Sequence, residues 1–145
     1  MSAMAIVLGK AGFVLFTLGL LIGVAIPAVR NSRMGLSAHL TAVQTGTALI
    51  AFALFWQYLA VPDSWSSPLI LGLIASSYLL VSGILLAAIF PASDALPMAG
   101  KGYRGTPSQE RIVSIVVKGS SVVMALDCLA ITWFAVSNMN GVPSR

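Results

Sequence analysis

Charged side chains are scarce in this sequence. Only 8% of its 145 residues are charged, whereas 58% are hydrophobic, which leaves too little polar surface to cover a soluble globule of this length. Cysteine is nearly absent as well, since Cys128 is the only one. It has no partner for a disulfide and no Cys-x-x-Cys-His context for covalent haem attachment. Short segments of alternating polarity, typical of a membrane β-barrel, are also missing. The composition therefore indicates a helical membrane protein.

The few charges divide the chain into long apolar runs. A membrane-spanning helix needs about 20 such residues, and three uncharged runs meet that length, whereas a fourth remains strongly apolar although it contains Lys118 and Asp127. The predicted fold is all-α, an integral membrane four-helix transmembrane bundle that forms a single domain over residues 1–145. The predicted helices cover approximately residues 6–29, 36–60, 67–90 and 111–136.

The basic residues are spread along the edges of these runs and form no dense block, so no nucleic-acid partner is expected. Most of them fall in the first and third connections or near them, on one side of the membrane, and the positive-inside rule makes that side cytoplasmic. Such a protein is expected in a bacterial inner membrane. The basic residues on this side are Arg30, Arg33, Lys101, Arg104, Arg111 and, by snorkelling, Lys118, whereas Trp56, Trp65 and Trp133 fall at the opposite edge.

Histidine occurs once, as His39 near the start of the second run. It is the only side chain whose ordinary charge change falls near neutral pH, and two interpretations stay open. The first is an interfacial histidine bonded to a neighbouring helix. The second is a metal ligand; one imidazole cannot form a zinc site, which needs three or four protein donors, but it can hold a haem, whose porphyrin supplies four further nitrogens.

The remaining polar residues can be compared by depth, at about 1.5 Å of rise per helical residue. Asp127 comes too far from the level of His39 for a direct contact, so we expect a structural ion pair with Lys10 or a neutral acid, with a catalytic role as the alternative. The Gly19–Gly23 pair forms a GxxxG pattern, which permits close backbone approach within or between chains.

Two stretches carry a family resemblance. Residues 31–40, Asn-Ser-Arg-Met-Gly-Leu-Ser-Ala-His-Leu, and residues 97–102, Pro-Met-Ala-Gly-Lys-Gly, resemble the hydroxylaminobenzene mutase family, which is itself similar to the styrene oxide isomerases. The similarity covers nearly the whole chain. It implies an enzyme that is an isomerase, acting on a small apolar aromatic substrate that arrives through the lipid bilayer, with an aryl hydroxylamine rearranged to an aminophenol.

The resemblance also implies a cofactor and an assembly: a homotrimer with haem b (iron) at the subunit interfaces, with His39 as the metal ligand and the iron as a Lewis acid. We expect Arg33 and Lys118, the basic residues near the depth of His39, to bind the haem propionates. The expected substrate-side residues are Thr45, Gln44 and Tyr78. Thr45 stands where the family has an asparagine, and Gln44 is a candidate to replace that carboxamide.

Other functions fit parts of the same pattern. The styrene oxide isomerases suggest an aryl epoxide-to-aldehyde reaction instead. A non-catalytic haem-binding or electron-transfer protein would use His39 without turnover, although no second axial ligand is evident. A transport protein would use the intramembrane charges Lys10, Lys118 and Asp127, although the sequence has no evident internal repeat.

Overall fold

A computed structural model of the chain describes residues 2–137. Four helices make up most of these residues, and each is long and apolar enough to span a membrane. Single 3₁₀ turns, Ile26–Ala28 and Trp56–Tyr58, extend the first two helices. The predicted all-α four-helix membrane fold is confirmed, with helices α1 (Ala3–Ala25), α2 (Ser32–Phe55), α3 (Asp63–Ile89) and α4 (Pro107–Ser137).

The helices begin earlier than the apolar runs suggest, at residues 3, 32, 63 and 107 rather than 6, 36, 67 and 111. Polar capping residues explain the earlier starts of α1 and α2, because they satisfy free backbone N–H groups of the first turn. The Ser2 hydroxyl accepts a hydrogen bond from the Ala5 N–H at 3.2 Å, and the Asn31 side chain accepts one from the Met34 N–H at 3.1 Å. Apolar composition therefore marks where each helix enters the core, not where it starts.

Helix α3 lies at the centre of the bundle and contacts all three other helices. α1 and α2 form a closely packed antiparallel hairpin, and both contact α3, whereas α4 packs mainly on α3. Small residues line the hairpin contact: a Cβ on Gly12 would lie 2.8 Å from the Gly46 carbonyl oxygen, and one on Gly19 would lie 2.9 Å from the Val43 nitrogen. The α1 and α2 backbones can approach this closely only because side chains are missing there.

The connections α1–α2 and α3–α4 meet at one end of the bundle, which we call the basic end. The buried Asn31 joins them, since its Nδ2 donates to the Ala99 carbonyl at 3.1 Å and its backbone N–H donates to the Ala88 carbonyl. Arginine and lysine residues lie in these connections and near the starts of α2 and α4, namely Arg30, Arg33, Lys101, Arg104 and Arg111.

The longer connection at the basic end is held by Glu110, which is buried at the start of α4. Its carboxylate accepts hydrogen bonds from the backbone N–H groups of Ser93, Asp94 and Gly105 at 2.8 to 3.0 Å. Bonds to an ionised acceptor are stronger than neutral ones. The only glutamate of the chain thus fixes the geometry of an otherwise irregular segment.

Candidate functional site

His39 is half-buried on α2 and faces α1. Its Nδ1 lies 2.8 Å from the carbonyl oxygen of Gly19, and its ring lies over Gly23, where a Cβ would come within 2.8 Å of Nδ1. The GxxxG pair is therefore used inside the chain, as the α1 surface that receives the imidazole.

The hydrogen bond to Gly19 determines the state of the imidazole. A backbone carbonyl can only accept, so Nδ1 must carry the proton. In a neutral imidazole, Nε2 is then the unprotonated nitrogen and has a free lone pair. An arrangement in which one ring nitrogen is bonded to a carbonyl is the usual way of orienting a histidine that binds a metal through its other nitrogen.

Tyr78 and Thr45 use their hydroxyl protons within the bundle. The Tyr78 hydroxyl donates to the Ala11 carbonyl of α1 at 2.9 Å, whereas the Thr45 hydroxyl donates to the Thr41 carbonyl of its own helix at 2.7 Å. Gln44 is exposed, and its carboxamide has no hydrogen-bond partner within residues 2–137. Of the three predicted substrate-side residues, Gln44 is the one whose donors and acceptor are all free.

These three residues lie nearer the opposite end of the bundle than His39 does. Along α1, the acceptor of Tyr78 is separated from the acceptor of His39 by eight residues, or about 12 Å of helix. On α2, Thr45 follows His39 by six residues and is rotated by about 120° around the helix axis. His39, Thr45 and Tyr78 are thus brought to the same hairpin but not to one point.

The two predicted propionate-binding residues, Arg33 and Lys118, are exposed, and their side chains have no hydrogen bond or ion pair within the described range. Ala38 and Val117 belong to the same buried cluster. Because these residues directly precede His39 and Lys118, the histidine and the lysine lie at similar depth, on different helices.

The expected ion pair between Asp127 and Lys10 is wrong for the described residues. Asp127 faces α3 at Gly72, where a Cβ would lie 2.9 Å from its Oδ1, and its buried Oδ2 has no hydrogen-bond partner. Lys10 instead lies in an exposed apolar groove with Phe13 and Leu54. The sequence gives the depth of each residue along its helix but not the direction in which its side chain points. Asp127 points toward α3, whereas Lys10 lies in the groove between α1 and α2.

In the sequence, the Gly19–Gly23 pattern indicates close helix packing, and no side chain of this pattern links it to His39. One signal was available. Both glycines lie near the end of α1 and His39 near the start of α2, so an antiparallel hairpin with a short connection must bring them to the same level. The acceptor itself is a backbone carbonyl, and no side chain marks it in the sequence.

The described residues contain no group of three His, Cys, Asp or Glu side chains that could hold a metal ion. A metal at His39 would therefore need most of its donors from outside the protein side chains. Haem meets this condition, since its porphyrin supplies four nitrogens and the protein supplies an axial ligand. The single oriented imidazole of His39 fits that donor set.

These features define a class of protein: a small four-helix membrane protein with one oriented histidine inside an α1–α2 hairpin. Comparison with known proteins identifies the family, because the profile described as styrene oxide isomerase matches residues 4–136. The chain belongs to the styrene oxide isomerase family.

Two curated relatives come from Ectopseudomonas oleovorans. Hydroxylaminobenzene mutase HabA is 39% identical over 108 residues, which cover 74% of this chain and 80% of the relative. Hydroxylaminobenzene mutase HabB is 32% identical over 137 residues, which cover 94% of this chain and 81% of the relative. No solved structure matches the chain. The family resemblance is confirmed, and the protein is an isomerase of the mutase type embedded in a membrane.

Proposed function

We propose that this isomerase converts an aryl hydroxylamine to an aminophenol and uses haem b bound through His39. The observation that carries the proposal is the 2.8 Å contact between His39 Nδ1 and the Gly19 carbonyl, which leaves the Nε2 lone pair for iron. The two curated relatives are named hydroxylaminobenzene mutases, and this supports the hydroxylamine as the substrate class.

His39 would hold the iron, and Arg33 and Lys118 would neutralise the propionates. Bound haem supplies a Lewis acid that polarises the N–O bond of the substrate. The rest of the chemistry depends on the surrounding helices, whose apolar side chains exclude water that would otherwise trap a cationic intermediate. An apolar aromatic substrate also partitions into the bilayer and can reach the protein from the side.

Gln44 would bind the polar substituent of the substrate, because its carboxamide is free to donate and to accept. Thr45 presents an oxygen lone pair, since its proton is used by the Thr41 carbonyl. Tyr78 would restrict the space on the α3 side while its hydroxyl remains bonded to α1. Substrate orientation in this proposal comes mainly from Gln44.

A second reaction, aryl epoxide to aldehyde, is supported by the description of the family whose profile matches. Both reactions rearrange one molecule without a change in redox balance, so both are compatible with one Lewis-acid site. A product screen of the purified protein with an aryl hydroxylamine and an aryl epoxide distinguishes them.

The proposed cofactor is tested by the absorption spectrum of protein purified after expression with adequate haem. We expect a Soret band that is lost or displaced in His39→Ala and retained in Thr47→Ala, an exposed α2 residue whose hydroxyl bonds its own helix. A wild-type protein without a Soret band, or a band that His39→Ala leaves unchanged, would contradict the proposal.

We further propose that the protein is a homotrimer in the bacterial inner membrane, with the basic end in the cytoplasm. Exposed Gln44 and Lys118 lie on membrane-spanning helices, and polar groups of this kind are costly in lipid. Contact with further copies of the chain, or with a cofactor held between copies, would remove them from lipid.

A further inference from the structure

The His39 ring occupies the space that a side chain would take at Gly23. An ideal Cβ on Gly23 would have three atoms of this ring as its nearest neighbours: Nδ1 at 2.8 Å, Cε1 at 3.0 Å and Cγ at 3.4 Å. Contacts below 3.0 Å are essentially absent for real Cβ atoms. Any larger residue at position 23 must therefore displace the imidazole.

The same gap gives Nδ1 access to its acceptor. Gly19 lies one helical turn before Gly23, so its carbonyl is the one that the Gly23 N–H would also use in a regular α-helix. A carbonyl oxygen has two lone pairs and can accept both bonds. With no side chain at position 23, the Nδ1 edge of the ring can approach α1, and Nδ1 reaches this carbonyl at 2.8 Å.

We infer that Gly23 is a positioning residue, which holds His39 in the Nδ1-protonated tautomer and in one ring orientation, so that only Nε2 is offered to an electron-pair acceptor. The identity of that acceptor as haem iron rests on the proposed function. The tautomer itself does not, because it follows from the contacts of the protein alone.

Other glycines of the hairpin have a different role. A Cβ on Gly12 would meet the Gly46 carbonyl oxygen and the Ile50 nitrogen at 2.8 and 2.9 Å, which are backbone atoms of α2. Substitution there separates the helices without touching the imidazole. Gly12→Ala is therefore a matched control that perturbs the same pair of helices.

The decisive experiment measures the ¹⁵N chemical shifts of the imidazole in haem-free protein, after removal of any histidine tag. His39 is the only histidine of the chain, so its two nitrogens can be assigned without ambiguity. We expect the wild-type protein and Gly12→Ala to show the Nδ1-protonated tautomer, and Gly23→Ala to show a mixture of tautomers. Equal spectra for the two variants, or a wild-type protein with Nε2 protonated, would overturn the inference.

A stability cycle covers the case in which Gly23→Ala folds poorly. If the added methyl group meets only the imidazole, Gly23→Ala should lower the midpoint of SDS-induced unfolding in the wild-type background but not in His39→Ala. An equal loss in both backgrounds would show a general packing role and would overturn the positioning role.

Haem titration then separates this inference from the proposed function. Loss of an outer partner of a metal ligand typically lowers metal affinity by about 10- to 100-fold, and we expect a loss of that size for Gly23→Ala. If wild-type protein binds no haem, the proposed function fails, whereas the tautomer comparison still decides the role of Gly23.

Discussion

At the scale of single residues, the two most buried acids of the chain contrast sharply. Glu110 is surrounded by backbone N–H donors at the basic end, whereas Asp127 faces Gly72 with one oxygen that has no partner. An ionised carboxylate is well solvated by the first environment and poorly by the second. The stability of the protein should therefore depend much more on the charge of Glu110 than on the charge of Asp127.

For Asp127→Asn we expect a stability change within about 1 kcal/mol, because no ion pair is broken and the amide has nearly the same shape. The measurement is SDS-induced unfolding, with Lys10→Met as the companion variant. Breaking a buried ion pair typically costs about 3 to 5 kcal/mol. A loss of that size in both variants would restore the Lys10 pairing that the sequence suggested.

For Glu110→Gln we expect a loss of about 1.5 to 3 kcal/mol, the usual contribution of hydrogen bonds to a charged group. The side-chain NH₂ group of the new glutamine would also face backbone N–H groups, and it cannot accept hydrogen bonds from them. The neighbouring exposed Arg111 supplies the control, since Arg111→Gln should leave the unfolding midpoint unchanged. Equal midpoints for Glu110→Gln and wild type would show that the carboxylate does not hold the loop.

How far the sequence predicts the site also differs between residues. The sequence contains a single histidine, and no other side chain ordinarily changes its charge near neutral pH. The sequence alone therefore identifies His39 as a candidate site residue. The partner of His39 could not be identified in the same way, since Gly19 contributes a carbonyl that every residue possesses. The direction of Asp127 was missed because rotation around a helix that is apolar on most sides leaves little periodic signal.

At the scale of the helices, the α1–α2 hairpin is the element that sets the geometry of the site. Its contact depends on positions where the backbones nearly touch, and Gly46 is the α2 position at which this is closest: a Cβ there would lie 2.6 Å from the Phe16 nitrogen. The four helices themselves were predictable, because long apolar runs have few other solutions.

Gly46→Ala should therefore destabilise the protein by about 1 to 3 kcal/mol, as overpacked sites usually do. Gly119→Ala is the matched control on α4, because nothing lies within 4 Å of the added Cβ. SDS-induced unfolding of the two variants tests the difference. If both substitutions had the same effect, the hairpin contact would not be as tight as the distances indicate.

At the scale of the whole molecule, one chain leaves polar groups exposed on membrane-spanning helices. The exposed Lys118 lies on a membrane-spanning helix, where a charged group is costly in lipid unless it reaches the interface or a polar partner. For the proposed homotrimer, we expect native mass spectrometry or light scattering in mild detergent to give the mass of three chains. A monomer that is fully active would contradict the proposed assembly.

Orientation is tested with single cysteines in a Cys128→Ala background. Met98 at the basic end is 91% exposed, and Ser64 is exposed at the opposite end. We expect an impermeant maleimide to label Met98→Cys only in inside-out vesicles and Ser64→Cys only in spheroplasts. The reverse pattern would place the basic end outside the cell.

The bond between His39 and Gly19 has a consequence for biosynthesis. Its two residues are only 20 positions apart in the chain, and both belong to helices that leave the ribosome before α3 and α4. Contacts between residues close in sequence form early, before the remaining helices have been translated. The imidazole can therefore acquire its final orientation while α3 and α4 are still being synthesised, and the nascent hairpin already presents the nitrogen to which the proposed haem would bind.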